Sequence, residues 1–157
     1  MSKIRLTAAA CVVALAMGAL SPVVAAKFTK QMEKVSEVLL GDGIALVQQK
    51  KFEESVPVFE QSVVADPKNA QAFAYLGFSH QQTGNMPDAR KYFEIALSID
   101  PDEVHALNWG GQNDLSRKAV ADAEKKLDRL ARVCGETCAE YEELDTAIKT
   151  FKNKATI

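Results

Sequence analysis

Cys134 and Cys138, with Gly135-Glu136-Thr137 between them, and the two histidines, His80 and His105, are the residues of this 157-residue chain whose types suit redox, metal or proton chemistry. A C-x3-C pair can close a disulfide where the chain turns, and Gly135 offers a turn that a continuous helix would deny. A loop that small stabilises by about 2 kcal/mol, mainly by limiting the unfolded chain. Two sharper chemistries use the same thiols. At a helix N-terminus, Cys138 would have its thiol pKa lowered and become redox-active, although the C-x-x-C spacing that signals this more strongly is absent. A metal would need at least one more ligand, and no histidine stands beside the pair. There is no Ser-His-Asp or Cys-His arrangement, glycine-rich phosphate loop or isolated carboxylate pair, so the chain reads as non-enzymatic, with no cofactor and no metal.

The compartment decides between these chemistries. Lys3 and Arg5 precede an apolar run over residues 6–20, then Ser21-Pro22 and the small residues Val24 and Ala26. This is the pattern of a secretory signal peptide over residues 1–26, cleaved after Ala26. The run of roughly 15 residues is short for a membrane span of about 20, so no stable membrane insertion is expected after cleavage. Cys11 is no lipid acceptor, because Ala8 replaces the aliphatic residue expected three positions before it. The short basic start and alanine-rich core point to a bacterial periplasm, where a disulfide is the default state of a cysteine pair. Removing Lys3 and Arg5 leaves 17 basic against 21 acidic residues, without the basic stripe of a nucleic-acid binder.

The elements that must position these residues repeat. Asp66-Pro67 and Asp100-Pro101 lie 34 positions apart, and Leu39, Gly43, Leu46, Ser55, Phe59 and Ser62 before the first match Phe73, Gly77, His80, Ala89, Phe93 and Ala96 before the second. Phe73, Leu76, Gly77 and His80 share one helical face, Gly84-Asn85 breaks it, and Ala89, Tyr92, Phe93 and Ala96 rebuild one. Leu107, Gly111, Ala123, Leu127 and Leu130 keep the offsets once more, with Asp114 in place of an aromatic and Gly135 in place of proline. The pattern resembles the tetratricopeptide repeat, two antiparallel helices per unit. It implies an all-α fold, a short α-solenoid of about three units with a C-terminal capping helix, as one domain. The divisions are an N-terminal helix extension over 27–35, repeats over 36–69, 70–103 and 104–136, and a capping helix and tail over 137–157. Residues 28–34 should extend the first helix and cover Phe28 and Met32. Asn69 and Asp102 are expected helix caps, and Thr137-Cys138-Ala139-Glu140 reads as a capping box that opens the last helix. In that helix Tyr141, Leu144, Ile148 and Phe151 form the apolar face, and Glu142, Glu143, Lys149 and Lys152 the solvated one.

The resemblance also implies a binding surface. In that family the first helix of each unit lines a concave groove, and the positions that face it include Glu37, Leu40, Ile44, Val47 and Gln48, then Gln71, Ala74, Phe78, Gln81 and Gln82, then His105, Asn108, Gln112, Leu115 and Ser116. Amides there would bind the backbone of an extended peptide or a helix. Tyr75 and Trp109 are candidate rim anchors, or pack between repeats. No groove position is basic, so the carboxylate clamp of some relatives is not expected. His80, at an aromatic position, is expected in the core, and His105 would lie about 14 Å from it along the axis, too far to share a metal. The function implied is a non-enzymatic periplasmic scaffold that binds an envelope protein as adaptor or assembly accessory, with self-association through the first repeat possible. The competing function is a thiol-disulfide or metal-handling accessory centred on Cys134 and Cys138.

Overall fold

The computed structural model describes residues 22–155; the expected leader lies outside them except for residues 22–26. Seven helices follow in order, α1 (Pro22–Gln48), α2 (Phe52–Ala65), α3 (Ala70–Gln82), α4 (Met86–Ile99), α5 (Val104–Ser116), α6 (Val120–Val133) and α7 (Ala139–Ala155), with no strand among the described residues. The pairs α1/α2, α3/α4 and α5/α6 are hairpins, and α7 packs on both α5 and α6. The odd-numbered helices touch one another in sequence and form the inner layer, whereas α2, α4 and α6 make no contact with each other and splay on the outside.

The repeat is visible in the backbone as well as in residue types. Asp66 and Asp100 end α2 and α4, and each carboxylate accepts the backbone N–H two residues on at 2.9 Å, closing a turn that Pro67 and Pro101 pre-set. Asn69 then caps α3 by accepting the Ala72 N–H at 3.0 Å. The equivalent cap of α5 is Glu103 and not Asp102, with a carboxylate reaching the Ala106 N–H. Between the helices of each hairpin, Lys50, Gly84 and Lys118 all adopt positive φ, at 59°, 85° and 65°, so the turn demands a left-handed residue whatever the side chain.

Small residues hold the hairpins together. A Cβ on Gly43 would strike the Phe59 ring, one on Gly77 would lie 2.8 Å from the Phe93 ring, and one on Gly111 would lie 2.7 Å from Leu144. In the third unit the large side chain that fills this notch therefore comes from α7. Buried serines tie α1 to α2 and α2 to α3: Ser36 and Ser62 oxygens lie 3.0 Å apart, and Ser55 and Ser79 oxygens 2.8 Å apart. Leu107, Leu115, Leu130, Leu144 and Ile148 form the C-terminal core, with Tyr141 and Phe151 packed against it. Asp114, at its aromatic position, is buried and neutralised by Arg117 at 2.9 Å and by Lys126. Residues 28–34 are helical within α1, and Met32 is part-buried, yet Phe28 is 64% exposed and no described residue covers it, contrary to expectation. The expected capping box does not form as such, since α7 begins at Ala139 and the Glu140 carboxylate turns toward His105 instead.

Candidate functional site

Helices α1, α3, α5 and α7 enclose a groove on the inner side, a cavity of about 440 Å³. One wall is aromatic because α3 and α5 present equivalent faces one repeat apart. Phe78 of α3 and Trp109 of α5 lie 4.3 Å apart by ring centroid, and Tyr75 meets Trp109 at 5.1 Å edge-on. The His105 ring closes the patch, 5.3 Å from Tyr75 and 4.9 Å from Trp109, while Phe52 at the start of α2 supports Phe78 edge-on at 5.9 Å. Ile44 and Val47 of α1 form the apolar side.

The opposite side is acidic. Glu140 and Glu143 come from α7, and among the described residues no lysine or arginine lines the cavity. Glu143 accepts the Asn108 amide at 2.6 Å, and the Asn108 oxygen accepts from Gln112 at 2.8 Å, so these amides are tied to the protein itself. Glu103, only 8% exposed, joins His105 Nδ1 at 2.9 Å, and Glu140 lies 3.9 Å from His105 Nε2. Burial disfavours the His105 cation, but the Glu103 hydrogen bond and the charges of Glu103, Glu140 and Glu143 outweigh it and raise the pKa. The Tyr75 phenol is raised too, by burial first and then by Glu103 and Glu140. The His105 shift, upward against burial, reports a negative field in the groove, to which Tyr75 responds only after burial.

Of the residues singled out from sequence, Tyr75, Phe78, His105, Asn108, Trp109 and Gln112 all line this cavity. Phe78 and Trp109 both pack between units and remain part-exposed to the groove. Ala74 is fully buried among Ala89, Phe93, Ala96 and Ala106. Gln71 lies by the interhelical loops beside Asn69 and Glu103; Gln81, whose buried Oε1 has no partner, and the exposed Gln82 stand outside the cavity. His80 stacks on Tyr92 at 5.3 Å. Glu103, Glu140 and Glu143 were missed. The signal was present in the spacing of Glu140 and Glu143, which suits one face of a helix placed as the inner member of a fourth unit.

A larger cavity, about 680 Å³, opens on the outer side between α4 and α6, where those helices splay. It is rich in basic side chains, but Arg117 and Lys126 are engaged by Asp114, Lys125 by Asp122 and Arg129 by Asp102. Its charge is largely satisfied within the fold, whereas the groove presents aromatic faces and carboxylates to solvent. At the α6–α7 junction, Cys134 and Cys138 Cα atoms are 5.9 Å apart, inside bridging range, with the sulfurs in contact. Glu140 adds a third potential metal donor, all three within 4.8 Å, and His105 stands outside that cluster.

Residues 40–104 match a family model described as tetratricopeptide repeat. A probable UDP-N-acetylglucosamine–peptide N-acetylglucosaminyltransferase SPINDLY of Hordeum vulgare is 34% identical over 65 residues, 41% of this chain but only 7% of that protein. Among solved structures, the first TPR of Spaghetti (RPAP3) bound to the HSP90 peptide SRMEEVD superposes with a TM-score of 0.69 at 14% identity, covering 80% of this chain and 96% of that one. The Yersinia enterocolitica type III secretion chaperone SycD, in complex with a peptide of the translocator YopD, gives 0.63 at 21% identity over 76% of this chain and 93% of that one.

Proposed function

From a chain that is a tetratricopeptide repeat protein, matched to that family over residues 40–104, we propose a non-enzymatic scaffold that holds a protein partner in its inner groove. The carrying observation is the part-exposed aromatic wall of Tyr75, Phe78 and Trp109. Large amphipathic rings in a preformed concavity dominate interface energies and lose little freedom on binding. Two structural neighbours were solved with peptides, which supports a peptide segment or helix as the bound element. The leader pattern of residues 1–26 supports a bacterial envelope location and an envelope protein as the partner, served as adaptor or assembly accessory. In that compartment Cys134 and Cys138 form a disulfide that pins α7 and with it the acidic wall of the groove.

The test is capture from cross-linked envelope extract with wild type, a Trp109→Ala, Gln112→Ala variant and a Cys134→Ser, Cys138→Ser variant. Loss of one defined protein with the groove variant alone, both variants keeping their helical signal, supports the scaffold. The cluster of Cys134, Cys138 and Glu140 favours the second reading, a thiol or metal accessory. Loss with the cysteine variant alone selects it.

A further inference from the structure

We propose that the groove selects a cationic side chain, a lysine or arginine carried on an otherwise apolar segment of the partner. This rests on the groove reading above and gives its specificity. The faces of Tyr75, Phe78 and Trp109 carry the negative side of the aromatic quadrupole, and a cation within about 6 Å of such a face is attracted to it. Facing them, Glu140 and Glu143 supply full negative charge, with Glu103 behind His105. Among the described residues, neither Glu140 nor Glu143 is matched by a lysine or arginine of the groove: Glu143 takes a neutral amide, and Glu140 lies 3.9 Å from His105 Nε2, beside the Cys134 and Cys138 sulfurs. Ile44 and Val47 complete an apolar slot for the residues on either side of the cation.

The sorting of charge across the molecule makes the same point. Basic side chains gather in the outer cleft between α4 and α6, where Glu94, Asp114 and Asp122 accompany them, whereas Glu140 and Glu143 line the groove with no lysine or arginine among the described residues there. The peptide SRMEEVD bound to one structural neighbour carries three acidic residues, whereas the groove here is itself lined by the carboxylates Glu140 and Glu143. An acidic segment would meet like charge in a partly desolvated groove and be rejected, which is how this surface would discriminate between partners.

The experiment is a positional-scanning library of N-acetylated, C-amidated, fluorescein-labelled nonapeptides, read by anisotropy against the wild-type protein. Binders are expected to carry lysine or arginine at one fixed position, and norleucine there should weaken binding about tenfold. The Glu140→Gln, Glu143→Gln variant, altered only at partly exposed or exposed carboxylates, should bind the norleucine peptide as wild type does and show a reduced preference for lysine, the part due to the aromatic faces remaining. Binders without a basic preference, or an undiminished preference in the double variant, overturn the proposal and leave the scaffold in place. Binders that hold a Trp109→Ala protein as tightly as wild type, or no binders at all, overturn the groove reading and this inference with it.

Discussion

Two glycines on inner helices, Gly77 and Gly41, should respond oppositely to the same substitution. At Gly77 an alanine Cβ would sit 2.8 Å and 2.9 Å from Phe93 ring atoms and 3.1 Å from the Ala89 carbonyl oxygen. The ring cannot slide freely, because Phe93 is 2% exposed and its own Cβ lies 3.3 Å from the Cβ position of Gly110. Overpacking of this kind costs about 1–3 kcal/mol, and the better helix propensity of alanine returns about 0.8–1 kcal/mol, so Gly77→Ala should destabilise by about 0–2 kcal/mol. At Gly41 the new methyl meets nothing within 4 Å, so only the propensity term acts and Gly41→Ala should stabilise by about 0.5–1 kcal/mol. Urea unfolding followed by helical circular dichroism reads both, and adding Phe93→Leu should recover part of the Gly77→Ala loss. A Gly77→Ala protein as stable as Gly41→Ala would refute the reasoning that glycine at this position sets the α3/α4 separation.

Lys118 occupies the left-handed position that Gly84 fills in the preceding unit, so Lys118→Gly should raise stability by about 1 kcal/mol in the same urea assay. The Cys134→Ser, Cys138→Ser variant should lose about 2 kcal/mol under oxidising conditions and nothing relative to wild type in excess reductant. The raised His105 pKa has a definite sign. Its stabilising contribution is complete below the ordinary value of about 6.5 and disappears as pH rises through the higher folded value. The stability gap between wild type and His105→Gln should therefore widen as pH falls toward 6; a gap that narrows would contradict it. Added cation at His105 also opposes a bound lysine, so peptide affinity should fall over the same window.

The 34-residue spacing made the hairpins legible, because Gly43, Gly77 and Gly111 and the two Asp-Pro pairs each answer a local steric need that recurs with the unit. The aromatic wall was legible for the same reason: Tyr75 and Trp109 are one repeat apart. Local pattern failed where packing between distant segments decided. Ala74 has a groove offset, but an alanine is small enough to be enclosed where α3, α4 and α5 meet, and it is lost to the core. Phe28 lies beyond the stretch of α1 that α2 covers, so a helix formed there without gaining cover. The acidic wall was hidden because Glu140 was read as a cap and Glu143 as solvated surface; only the docking of α7 on α5 turns them toward the aromatic rings. The left-handed turns at Lys50 and Lys118 carry no residue signal, since lysine gives way there to a turn imposed by the two helices it joins.

Site-specific photo-cross-linking in cells tests the central claim most directly, with a photoreactive residue placed at Gln112 in the groove or at Lys91 on the exposed outer side of α4. The account predicts one discrete protein adduct from position 112 and none from position 91. The same adduct from position 91, with nothing from position 112, would place the partner on the outer face and contradict it.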